Sequence, residues 1–314
     1  NVNTTASQTL SGIISGSGSL TKSNSGTLTL SSANTFTGGV TVNAGTLMLG
    51  TGGATSTIKG VVTVNTGGTL NWSVSNSLGY NAGSITSLNI VGGTVGGGDF
   101  NQHFYHDSGS IPINMTGGTF KLGGPSAVGS ANQFRSAPIT VTASSSTAQI
   151  LGVTPSVTIA LRESTIQSFN VGDGSQAVDL LVDVIISQNG GSGAVAKTGA
   201  GLMALTRDNA YIGATTISAG TMRVGNGGTT GSLNAGSAVS VAGALEFYRS
   251  NGSEVTIGNA ISGAGTVRFL GTGATEQSQY TLSGNNSSFT GAMVIDQARV
   301  QFDRCGRFAV GLQS

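Results

Sequence analysis

Residues 17–50 of this chain, SGSLTKSNSGTLTLSSANTFTGGVTVNAGTLMLG, align without a gap on residues 192–225, SGAVAKTGAGLMALTRDNAYIGATTISAGTMRVG. The offset is 175. It superposes Gly18 on Gly193, Lys22 on Lys197, Gly26 on Gly201, Asn34 on Asn209, Phe36 on Tyr211, Gly38 on Gly213 and Gly45 on Gly220. A looser third copy begins ISGAGTV at Ile261 and resumes at Leu282 with Asn286, Phe289 and Gly291 in the matching places. Self-similarity of this kind restricts the fold more than any local propensity. Each copy must fold alike and bury its apolar side against its neighbours.

A shorter period lies inside the long one. Gly-Thr-apolar triplets start at Gly45, Gly68, Gly93, Gly118 and Gly220, with Gly-Ala-Leu at Gly243. The gaps are 23, 25, 25, 102 and 23 residues, and 102 fits about four more turns of a coil with a period of 20–25. Val40 to Leu49 alternates apolar and polar residues on either side of Ala44-Gly45, the mark of strands with one buried face. Val178 to Ser187 alternates likewise, placing Leu180, Val182, Val184 and Ile186 on one side. A sandwich lacks such a long-range period, and a propeller needs one near 40–50. The expected fold is all-β: a right-handed parallel β-helix of about 13 rungs and roughly 60 Å, with loop excursions. It forms one unit over 1–314, with repeat copies at 13–72, 185–247 and 258–302 and irregular rungs and loops over 96–162.

Composition agrees. Glycine supplies 52 of 314 residues, about twice the usual share. Each glycine costs a helix interior roughly 1 kcal/mol, and the absence of a three-residue glycine period excludes collagen. Thirteen basic and twelve acidic residues give a net charge of +1, so no nucleic-acid partner is expected. Arg299, Arg304 and Arg307 are interleaved with Asp296 and Asp303 and read as a solvated end. In a coil that stacks like on like, ladders of Asn, Thr and Ser are tolerated where ladders of one charge repel. No apolar run is long enough for a membrane-spanning helix. The opening NVNTTASQTL lacks the basic and apolar regions of a signal peptide, so a leader is expected to be absent or already removed. Cys305 is the single cysteine, which excludes an internal disulfide.

Residues 16–50 resemble the autotransporter-associated β-strand repeat. The shared features are a Gly-rich start, Leu-Thr-Lys at Leu20–Lys22, Gly-x-Leu-x-Leu from Gly26 and Asn-Thr-aromatic-x-Gly-Gly at Asn34–Gly39. Ala-Gly-Thr-Leu at Ala44–Leu47 closes the pattern. Residues 192–225 match well; residues 261–302 match less well, with Ala298 where Gly45 stands. The three copies cover about a third of the chain. The resemblance implies a β-helical passenger region on, or exported from, a Gram-negative-type bacterium, in a family whose repeat is associated with transport and passenger folding. It implies no catalytic residue. Autotransporters end in a translocator barrel, and the end DRCGRFAVGLQS does not resemble one. The expectation is a passenger portion, or a repeat protein released or anchored another way.

Candidate sites are few. His103, His106 and Asp107 would hold a divalent metal only on a loop, because strand positions three apart face opposite sides. Phe100, Phe104 and Tyr105, interleaved with them, suggest an outward loop. A polysaccharide-cleaving enzyme needs paired carboxylates; Asp179 and Asp183 are the candidate pair, expected on one outer strand face with Leu181. Gly96–Gly98 lacks the following Lys-Ser/Thr of a phosphate loop. Asn-x-Ser/Thr occurs at Asn3, Asn71, Asn114, Asn251, Asn285 and Asn286, at a frequency expected of this composition. No catalytic residue, cofactor or metal is therefore expected. Phe36, Tyr211 and Phe289 read as fillers of a coil corner. The chain is expected to be a non-enzymatic extracellular structural protein whose copies stack head-to-tail into a fibre, sheath or layer. The alternatives are an adhesin displaying the loops 96–112 and 121–138 to cell-surface glycans, and a polysaccharide-degrading enzyme.

Overall fold

A computed structural model describes residues 2–3, 5–54, 56–80, 84–106, 109–124, 132–250, 254–272 and 278–303. Two long sheets run its length. One has twelve strands, from Val2–Asn3 and Leu20–Ser23 to Val239–Val241 and Ile261–Ser262; the other has thirteen, from Gln8–Leu10 and Thr27–Leu30 to Thr266–Leu270 and Ala292–Asp296. Successive strands alternate between the sheets, and each pairs in parallel with the strand one turn later. The chain is thus a right-handed parallel β-helix of thirteen rungs, the hand that parallel crossovers take.

Strand pairing puts equivalent residues in columns. In the thirteen-stranded sheet one inward column runs Leu28, Leu47, Leu70, Val95, Phe120 and Ile150. It continues through Val182, Leu205, Val224, Phe247 and Phe269 to Ile295. From Leu28 to Phe269 every member is buried. Burying each such side chain contributes about 1.5–3 kcal/mol. Aromatics stack where they meet: the Phe247 and Phe269 rings lie 5.5 Å apart and 10° from parallel.

The steps along this column are unequal, and the differences shape the coil. Leu28 to Leu47 spans 19 residues and Leu47 to Leu70 spans 23, but Phe120 to Ile150 takes 30 and Ile150 to Val182 takes 32. The added residues build a third side. His103–His106, Asn132–Phe134, Thr158–Arg162 and Ile185–Asn189 form a parallel sheet, joined at its edge by antiparallel Gly109–Ser110. Most of the stretch expected to be irregular, 96–162, is therefore regular coil with a third face. Phe104, placed by sequence on an outward loop, is fully buried against Phe120 and Phe134. Residues 125–131, within the expected 121–138 excursion, lie outside the described residues. The third copy also shifts phase. Ile261 and Thr266 pair with Val239 and Ala244, so ISGAGTV occupies the turn from one sheet to the other rather than the place of Ile14–Leu20.

Glycine sits where one rung's corner presses on the next. Gly45 and its equivalent Gly220 have φ of 66° and 62°, and a Cβ on either would come within 2.4 Å of a carbonyl oxygen of the preceding rung, that of Asn24 or of Gly199. A side chain there meets both left-handed backbone strain and a backbone clash. Gly220→Ala is expected to destabilise the protein by about 2–4 kcal/mol. Gly228→Ala, where a Cβ meets nothing within 4 Å, should change stability little. Urea unfolding of both variants checks this, and equal stabilities would contradict it.

Candidate functional site

The residues that recur between copies form an internal fastening. Lys22 and Lys197 are fully buried, each aimed at a left-handed turn. Lys22 Nζ donates to the carbonyls of Ser23, Asn24 and Ala44 at 2.7–3.1 Å. Lys197 Nζ donates to those of Thr198, Gly199 and Ala219 at 2.8–3.2 Å. Each ammonium thus ties its own turn to the next rung. The turn residue is Asn24 (φ 65°) in one copy and Gly199 (φ 76°) in the other; Asn and Gly tolerate this region best. Loss of hydration lowers both lysines, Lys197 to about 8, with the Asp179 carboxylate opposing part of the fall.

Asparagine fastens the opposite corner. Asn34 Oδ1 accepts from the Ile14 N–H one rung back, while its Nδ2 donates to Ser32 and to Thr57 one rung on. Asn209 repeats the pattern with Ile186, Arg207 and Ser232. Asn286 accepts from Ile261 N–H and donates to Gly284 O. Each amide is buried and closes backbone groups that the corner leaves without strand partners. Phe36, Tyr211 and Phe289 lie beside these amides in the chain and are buried to 2% exposure or less. Gly38 and Gly213 lie two residues further on, against the backbone of Gly18 and Gly193 one rung back.

The acidic candidates do not form a catalytic pair. Asp179 is not on the outer face with Leu181 and Asp183: the strand begins at Leu180, and Asp179 turns into the corner at 5% exposure. There it accepts the N–H groups of Gly174 and Leu202 at 2.7 and 2.8 Å. Asp183 does face outward, but Arg207 grips both its oxygens at 2.7 and 3.0 Å and Thr206 donates to it. Among three shallow surface clefts of about 190–290 Å³, none is lined by more than one carboxylate.

His103 and His106 lie on one strand, three positions apart, and alternation separates such positions. Asp107 lies outside the described residues. No cluster of three metal-ligating side chains occurs among those described. His103 packs between Tyr80 and Tyr105, ring centroids 5.4 and 5.3 Å away, with the Arg162 guanidinium over Tyr105 at 4.6 Å. Burial, reinforced by Arg162, draws its imidazole down to about 4, so it is neutral at pH 7. Among the glycosylation motifs, Asn286 is enclosed, Asn114 and Asn285 are exposed, and Asn251 lies outside the described residues, as does Cys305.

One charged group escaped the sequence reading. Glu246, 5% exposed at its side chain, lies between Arg223 at 2.8 Å and Arg268 at 3.3 Å. The three are successive members of one column, paired Arg223 to Glu246 and Glu246 to Arg268. Like charges repel in a ladder, but alternating signs attract. The signal was present in the spacing, 23 and then 22 residues, which equals one rung.

The family model described as passenger-associated-transport-repeat matches residues 20–49, 195–224 and 279–302. These segments carry Asn34, Asn209 and Asn286, and the first two contain the buried lysines. The chain therefore bears three passenger-type transport repeats within a β-helix. No curated protein and no solved structure matches it.

The lysine fastening has a pH signature. The unfolded chain holds this proton up to about 10.5 and the folded chain only up to about 8. Between those values the unfolded state binds more protons, so stability rises with pH. Melting curves of the wild type and Lys197→Met should diverge from pH 8 to pH 10, the wild type gaining relative to the variant. Parallel profiles would contradict the assignment.

Proposed function

We infer that the chain is a non-enzymatic structural rod of an exported bacterial surface protein, and that copies of it associate end to end. The observation that carries this reading is the uninterrupted inward column from Leu28 to Ile295, in which each rung serves as the template for the next. The outermost strand of such a coil presents the same unpaired N–H and C=O groups that its neighbours use. Heterologous contacts of this kind give open filaments.

The acids support the same reading. Asp179 closes a corner, Asp183 holds Arg207, and Glu246 holds two arginines, so each is engaged in maintaining the coil. The transport repeat supports export to the cell surface or the medium. Recognition of cell-surface glycans through displayed loops has less support, because the described part of the 96–112 excursion is folded into the third sheet. Polysaccharide cleavage has less still, since its candidate carboxylates are separated and engaged.

Negative-stain electron microscopy of concentrated protein tests this reading. Rods that join into filaments longer than the roughly 60 Å of thirteen rungs are expected. Separate, single-length particles at every concentration would reject end-to-end association.

A further inference from the structure

The two long sheets differ in what they show to solvent. In the thirteen-stranded sheet charged residues punctuate the strands, among them Lys121, Asp183, Arg223, Glu246 and Arg268. The twelve strands of the other sheet contain only two charged residues, Lys22 and Lys197, and both are buried on the inner side. The outward positions of that sheet are therefore uncharged along the whole rod.

What stands there is a ladder of hydroxyl and amide groups. One outward column runs Thr21, Thr41, Thr63, Asn89, Asn114 and Thr140. The amides link along it: Asn114 Nδ2 donates to Asn89 Oδ1 at 2.9 Å, and Asn89 Nδ2 to Thr63 Oγ1 at 3.3 Å. Flanking this column, Asn65 Nδ2 donates to Asn43 Oδ1 at 2.7 Å. Three of the exposed large apolar side chains, Val61, Val91 and Ile166, lie on strands of this sheet at 48%, 40% and 56% exposure.

We propose that this face is a lateral interface on which a second copy of the chain packs, sheet against sheet. Three arguments favour that occupant. First, stacked sheets interdigitate only if their repeats match, and a second β-helix has the same strand spacing of about 4.8 Å. Second, an uncharged face packs against its own copy without desolvating an ion or opposing like charges. Both other sheets carry exposed or half-exposed charges, such as Arg268 and the Arg135–Glu163 pair. Third, the area suffices. Twelve strands span about 55 Å and each is about 12 Å long, giving roughly 650 Å² per copy, against about 800 Å² per partner in a standard interface. A two-fold arrangement lets each copy offer the same patch.

The test is sedimentation equilibrium of the full chain over a range of concentrations. A species of twice the chain mass is expected, with little dependence on salt because no ion pair crosses the face. The double variant Thr63→Lys, Thr140→Lys puts like charges into the interface and should weaken association by at least roughly a hundredfold, with an unchanged far-ultraviolet spectrum. Thr69→Lys, on the other sheet, should leave the dimer intact. A chain monomeric at every concentration would overturn the proposal. So would a dimer that survives the double substitution, or one lost equally to Thr69→Lys. Capture of a soluble neutral β-glucan by monomeric protein would assign the face a different occupant and overturn it too. Electron microscopy separates this pairing from end-to-end association: pairing is read in filament width, end-to-end growth in length.

Discussion

Parallel backbone pairing between each rung and the one before it is the interaction on which everything else in this protein depends. It fixes register, and register turns a linear repeat into columns. Once Leu47 lies over Leu28 and Leu70 over Leu47, the interior is determined down the coil. A slip of one residue would exchange the inner and outer faces of a strand. The corners are the weak points, because there the backbone leaves the ladder. Asn34, Asn209 and Asn286 bridge rungs at one corner, and Lys22 and Lys197 at another. The residues that define the transport repeat are thus the ones that hold the turns of the coil together.

The same stacking rule sorts the charge. Inside, a lysine is accommodated only where three carbonyls converge on it. Outside, charge persists where signs alternate, as in Arg223, Glu246 and Arg268, or where an ion pair forms locally, as in Asp183 with Arg207. The sheet with no such compensation carries no outward charge. This distribution sets apart one side of the rod as the place where another uncharged, equally spaced surface fits.

Much of this architecture is legible in the sequence because the relevant residues recur at the rung spacing. The Gly-Thr triplets at Gly45 and Gly68 are direct register partners, and the gap from Gly118 to Gly220 is crossed by four steps of the coil. The third sheet was not legible, because its strands come from insertions of different length with no period of their own. His103–His106 and Thr158–Arg162 share neither pattern nor spacing with the repeat. Asp179 was misplaced for a related reason: alternation continues through Val178–Val182, yet the strand starts at Leu180 and the corner turns the carboxylate inward. The lysine fastening was visible as an alignment of Lys22 with Lys197, but its acceptors are backbone carbonyls, which no side-chain pattern reveals.

The central claim is that residues one rung apart, however distant in sequence, are coupled as stacked neighbours. A double-mutant cycle between Phe247 and Phe269, each changed to Leu, measures this directly. Their rings stack at 5.5 Å across 22 residues of chain, and a coupling of about 0.5–1.5 kcal/mol is predicted. Phe120, in the same column but several rungs away, should show none with Phe247. Absence of coupling between Phe247 and Phe269, or equal coupling in both pairs, would contradict the account.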